Sequence, residues 1–206
     1  MNTISNIILF IFLFFLGCAS NFYVIPEGRS LASSHEIIAV LPPNIFSGES
    51  ENRKSEILEF EYNSESYLFQ EEIYIAILER NIKEKSNIKV QNIEKTNTIL
   101  NGNKKDPSQV NINSLCDLLD VDALLTSKFE IEPQDPIFWR VFFMLLEGEY
   151  IHDERDVEIS LTIKDCSEES IIWNYTDIGY GVSPSRVVRS IIKRATKKIP
   201  YFIEYN

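Results

Sequence analysis

The chain is poor in the residues and motifs that mark enzymes. It has two histidines and three cysteines among 206 residues. It contains no G-x-S-x-G elbow, no P-loop, no G-x-G-x-x-G and no H-E-x-x-H. The legible signatures of acyl transfer, nucleotide binding, dinucleotide binding and zinc proteolysis are therefore missing. Excess positive charge is missing too. The formal net charge is −11, and so acidic a chain is a poor partner for nucleic acid or anionic lipid through bulk electrostatics. No apolar run reaches the about twenty residues of a membrane-spanning helix. No internal repeat is visible.

What is present begins at the N-terminus. Ile7 to Leu16 is an unbroken apolar run, IILFIFLFFL, followed at once by Gly17, Cys18, Ala19 and Ser20. No A-x-A-like cleavage site precedes Cys18, as a conventional secretory signal would require. An apolar stretch, a small residue and a cysteine resemble the lipobox of bacterial lipoproteins, in the relaxed form of spirochaetes and some other bacteria. Phe15 stands where Leu is usual, Leu16 stands where a small residue is usual, and the n-region has no Lys or Arg. The resemblance implies a signal peptide over 1–17 and a lipidated Cys18, palmitate among its acyl chains. Simple cleavage or a retained anchor are the alternatives. Several chains on one cysteine anchor firmly, whereas one gives only marginal membrane binding. The expected address is the cell envelope, on the outer membrane and facing the periplasm.

The stretch 18–34, with Pro26, Gly28 and several serines, reads as a tether, and 35–206 as a single α/β domain. Ile37 to Leu41 is a short apolar run stopped by Pro42-Pro43, which predicts a buried strand with a hard end. Asn44 to Asn63 is rich in Glu, Ser and Asn and reads as a long loop. From Ser64 to Lys85, Phe69, Ile73 and Ile77 fall on one helical stripe. Ile88 to Ile93 predicts a second strand, Thr96 to Leu100 a brief helix, and Asn111 to Leu119 a capped one. Ala123 to Ile131 predicts a strand. Val157, Ile159, Leu161 and Ile163 alternate with polar residues, and Ile171 to Thr176 returns after a turn, which predicts a hairpin. Ser183-Pro184 opens a last helix whose stripe is Val187, Val188, Ile191, Ile192, Ala195 and Ile199. The fold class is therefore α/β (α+β): a mixed sheet of about five strands with a C-terminal hairpin, covered by three to four helices. Cys116 and Cys166 are either paired in an oxidising compartment or separately buried thiols.

Three segments carry a family resemblance. Ile37 to Pro42, IIAVLP, before a long helix is similar to the opening of the α/β domain shared by the TolB N-terminal domain, LpoB and CsgG. Leu118 to Thr126, LLDVDALLT, resembles their "G-V-D-A-ϕ-ϕ-x-G" passage, with Asp120 and Ser127 in place of glycines. Ile159 to Tyr175 resembles their "D-x-x-x-G-x-ϕ-ϕ-W" hairpin, with Asp165 and Trp173 in register. The resemblance implies fold, an envelope compartment and binding or assembly roles, and carries over no catalytic residues.

Sites are few. His35, at the head of the first strand, reads as a boundary residue, and His152 to Asp156 as a solvated turn whose spacing matches no zinc or calcium pattern. Neither a metal nor a cofactor is expected. Ile137 to Leu146, IFWRVFFMLL, must be buried somewhere, since large exposed apolar patches are rare. It is either core or a partner-binding or membrane-contacting surface built on Phe138, Trp139, Phe142, Phe143 and Leu146. Arg189, Lys193 and Lys197 lie opposite the apolar stripe of the last helix and form a second candidate surface. The expectation is a non-catalytic envelope binding or assembly factor, held on the membrane by Cys18 and meeting a protein partner, with oligomeric state open. The rivals are an oligomeric curli-type secretion component and an envelope hydrolase using a carboxylate pair.

Overall fold

The structure, a computed structural model, describes residues 21–47, 56–102, 111–131, 155–181 and 183–202. Seven strands form one mixed sheet: β1 Asn21–Val24, β2 Ile37–Val40, β3 Asn44–Ser47, β4 Lys89–Val90, β5 Ala123–Ile131, β6 Arg155–Asp165 and β7 Ile171–Gly181. The spatial order is β1-β7-β6-β5-β2-β4, with β3 also paired to β5. Five α-helices accompany it: α1 Gly28–Ser34, α2 Glu56–Glu84, α3 Ile93–Gly102, α4 Ile112–Leu119 and α5 Pro184–Ala195. The mixed α/β class read from the sequence is the one observed.

The sheet has two halves of different grammar. β2, β4, β3 and β5 are parallel, and each hydrogen-bonded pair among them is joined through helices, as parallel pairing requires. β5, β6, β7 and β1 are antiparallel. Along β6, Val157, Ile159, Leu161 and Ile163 are buried, so alternation in sequence becomes one buried face. That face packs against Phe69, Ile73, Ala76 and Ile77 of α2 and Val188, Ile191, Ile192 and Ala195 of α5. On the opposite face α3 and α4 cover only the β2–β5 end, over Ala39, Leu41 and Leu124. Beyond them the same face carries polar cross-strand pairs, such as Asn174 Nδ2 donating to Thr162 Oγ1 at 2.9 Å.

Several sequence expectations are corrected. Pro42-Pro43 interrupts the first strand without ending its course, because β3 resumes at Asn44 and pairs farther along β5. The prolines withhold two ladder donors, and Leu41 N still reaches Leu125 O at 2.9 Å. The supposed loop 44–63 thus holds a strand, and α2 begins at Glu56 rather than Ser64. The second strand shrinks to Lys89–Val90 because Asn92 Oδ1 accepts from Glu94 N and Lys95 N and starts α3 early. The stretch read as a tether is folded from Asn21 onward: β1 pairs with β7, and α1 buries Ala32 in the main core.

Two of the motif positions have a visible reason. Asp120 ends α4 at φ 56°, in the left-handed region, which glycine adopts freely and Asp tolerates better than most residues. Asp122 Oδ2 accepts from Glu36 N at 2.7 Å and Ile37 N at 2.9 Å, pinning the start of β2.

Candidate functional site

At the head of β2 lies a cavity of about 410 Å³, lined by His35, Cys116, Asp117, Asp122, Asp165 and Cys166 among others. β2 delivers His35 just before its first residue, α4 supplies Cys116 and Asp117, the turn before β5 supplies Asp122, and the end of β6 with the turn after it supplies Asp165 and Cys166. Cys116 and Cys166 form a disulfide, Cα atoms 6.0 Å apart, which ties α4 to that turn. Of the two readings left open for these cysteines, the paired one is observed.

His35 sits at the centre of a buried chain of polar groups. Its Nε2 lies 2.7 Å from Asp165 Oδ1 and its Nδ1 2.7 Å from the Tyr201 hydroxyl. The side chains of His35 and Asp165 are 3% and 2% exposed. The other oxygen of Asp165 accepts from Ser167 Oγ at 2.7 Å and Glu168 N at 2.6 Å. Burial pushes the Asp165 carboxyl up, but hydrogen bonds from Glu168 N, His35 and Ser167, with the His35 charge, outweigh it and hold the group below its usual range. Tyr201 is driven the other way, far above an ordinary phenol, by burial first and then by the charges of Asp165 and Asp122. It is held as a neutral phenol.

This geometry decides what the cluster can do. Buried in this way, neither His35 nor Asp165 presents more than a trace of side-chain surface to a substrate from solvent. The cluster fastens β2, the β6–β7 turn and the segment Pro200–Phe202 to one another. Among the described residues no group of three or more His, Cys, Asp and Glu could hold a metal ion.

Of the site residues singled out from the sequence, only Arg189, Lys193 and Lys197 lie among the described residues, and none of them lines this cavity. Cys18 and the run Ile137 to Leu146, with Phe138, Trp139, Phe142, Phe143 and Leu146, lie outside the described residues, as do His152, Asp153 and Glu154. Arg189 on α5 is exposed and makes a two-pronged pair with Glu72 of α2, Nε to Oε2 at 2.9 Å. Lys193 and Lys197 are exposed on the same side. Arg194 instead turns inward to Asp177, which also accepts from Tyr175 Oη at 2.6 Å. His35 was readable only as a boundary residue, because its partners are 130 and 166 positions away.

No family profile matches the chain, and no curated protein matches it. Solved structures do. A PelC dodecamer from Paraburkholderia phytofirmans is similar at 10% identity and TM-score 0.48, over 90% of this chain and 99% of that one. A lipoprotein from Neisseria meningitidis follows at 12% identity and TM-score 0.45, over 80% and 97%. The LpoB C-terminal domain from Salmonella enterica, one of the families the motifs resemble, is similar at 8% identity and TM-score 0.37, over 73% and 93%. These are likenesses of outline, and no residue role passes from them to this chain.

Proposed function

We propose that this protein is a lipid-anchored envelope factor that binds or assembles other components and performs no catalysis. Cys18 is its anchor, the outer membrane its site, and the periplasm the side it faces. The observation that carries the reading is a disulfide, Cys116–Cys166, behind a lipobox-like leader. Disulfides persist in oxidising compartments outside the cytoplasm, which is where a lipidated Cys18 would deliver the domain. The burial of His35 and Asp165 supports binding over turnover, since this histidine cluster is closed to solvent and joins β2, the end of β6 and the segment Pro200–Phe202. The candidate partner surfaces are the run Ile137 to Leu146 and the basic side of α5 with Arg189, Lys193 and Lys197.

The first test is the native mass of the detergent-extracted, full-length protein by light scattering corrected for bound detergent. A monomer or dimer is expected; a closed ring of many copies would replace this reading with the secretion-component one. Fatty-acid labelling that survives in a Cys18→Ser variant would remove the anchor. Phe142→Asp with Phe143→Asp should abolish partner capture while folding is kept; loss of folding would put the run in the core.

A further inference from the structure

The anchor and the fold are separated by very little chain. Only Ala19 and Ser20 stand between Cys18 and Asn21, the first residue of β1. Three residue steps span at most about 11 Å when fully extended. Asn21 therefore lies within that distance of the Cys18 backbone, whose acyl chains would sit in the bilayer. The polar headgroup layer is itself roughly 5–8 Å deep on each side. A domain hung on so short a leash cannot stand off the membrane, and the part of it nearest Asn21 must meet the headgroups.

That part is the border of the sheet formed by β1 and β7. β1 runs antiparallel to β7 and pairs only with Trp173 to Thr176, so its N-terminal end points toward Ile178 and Tyr180. Four large apolar or aromatic side chains are exposed along this border: Phe22 at 47%, Tyr23 at 58%, Ile178 at 46% and Tyr180 at 60%. The pairing register puts Tyr23, Ile178 and Tyr180 on the face that, among the described residues, no helix covers at this end. Phe22 lies on the other face with Lys198 Nζ 5.0 Å from its ring centre. Exposed tyrosines suit a membrane–water interface, where the ring is apolar and the hydroxyl stays wet, and on the other face the Lys198 ammonium beside Phe22 is placed to reach phosphate. Asp177, the carboxylate on the border itself, is buried against Arg194 and Tyr175. On the face of Ile178 and Tyr180, their cross-strand partners are Glu158 and Asp156, one strand in from the edge.

We propose that this border, with Phe22, Tyr23, Ile178, Tyr180 and Lys198, is a docking surface for the bilayer that holds the acyl chains. The proposal rests on the anchor reading above. It fixes the orientation of the domain: β1 and β7 lie on the lipid, and the β2–β4 end with the His35 cavity points away from it.

The test uses the acylated full-length protein in vesicles of phosphatidylethanolamine and phosphatidylglycerol. Cys18 is blocked by its lipid and Cys116 and Cys166 by each other, so one introduced cysteine is the only free thiol. Tyr23→Cys, Tyr180→Cys and, as a distant control, Ile82→Cys (81% exposed on α2) each take a nitroxide label. Collisions with a water-soluble nickel chelate should be several-fold rarer at 23 and 180 than at 82, and collisions with oxygen more frequent. Equal access to the chelate at all three positions, in a protein whose N-terminal peptide mass shows the acyl chains, overturns the surface and leaves the anchor standing. An N-terminal peptide without acyl chains overturns both.

Discussion

Among the described residues, one cluster of 25 buried residues beneath α2 and α5 fills the space against the sheet, whereas the cluster under α3 and α4 has eight. The two are held by different means. The larger includes Phe129, Ile159, Ile163, Trp173 and Ile191, all fully buried, and each such side chain contributes on the order of 1.5–3 kcal/mol by leaving water. The smaller has fewer described side chains to bury. Polar and covalent fasteners are concentrated around it. Cys116 is bonded to Cys166, Gln91 Nε2 donates to Leu119 O at 2.7 Å, and Asp122 pins β2. His35, Asp165 and Tyr201 close the end of the same region. Where apolar area is scarce, specific bonds replace it, and the cavity forms at that boundary.

The largest expected effect is in the larger cluster. Phe129 is 0% exposed and stacks on Phe69 with ring centres 5.0 Å apart. Phe129→Ala should cost about 3–5 kcal/mol of unfolding free energy in urea. A loss below about 1 kcal/mol would mean that this core repacks freely.

Next comes the fastener of the smaller cluster. The disulfide closes a separation of 50 residues. Replacing both cysteines by alanine should cost about 2–4 kcal/mol. Amide exchange should accelerate first in α4 and the β6–β7 turn, with β5 and α5 following only on global unfolding. Uniform acceleration across the chain would erase the distinction between the two clusters.

Asp165 comes third. Asp165→Asn would remove the charge that its donors face and should cost roughly 1–3 kcal/mol. The native carboxyl lies below the unfolded value of 3.8, so its contribution is present above about pH 4 and lost as pH falls through the folded value. The substitution should flatten that acid limb. Tyr201 acts with the opposite sense. Its folded value is raised above 10.0, so its contribution is intact below about pH 10 and is lost as pH rises past it. Tyr201→Phe should remove the alkaline loss, as followed by thermal melts at stepped pH.

The smallest effect belongs to Arg189. The Glu72 partner raises its pKa, yet the guanidinium is exposed, and exposed pairs are offset by water, salt and side-chain entropy. Arg189→Ala should leave the melting temperature unchanged within error. A clear drop would make this α2–α5 pair part of the larger cluster's support.

The sequence by itself determined the elements whose signals are local. Alternation along Val157 to Ile163 reports a half-buried strand because side chains in a strand repeat every two residues. The stripe from Val187 to Ala195 reports α5 because helical neighbours lie three and four apart, although the helix stops at Ala195, four residues short of Ile199. The cysteine at 18 and the apolar run before it are legible for the same reason. Tertiary structure alone decided whatever joins distant positions. It resumed the strand beyond Pro42-Pro43, because pairing with β5 outweighs two missing donors. It drew Asn21 to Val24 into the sheet, because β7 offered an unpaired edge. It paired Cys116 with Cys166 and made His35 the centre of a buried cluster, since Asp165 and Tyr201 come within 2.7 Å of it only when the sheet and the C-terminal segment close together.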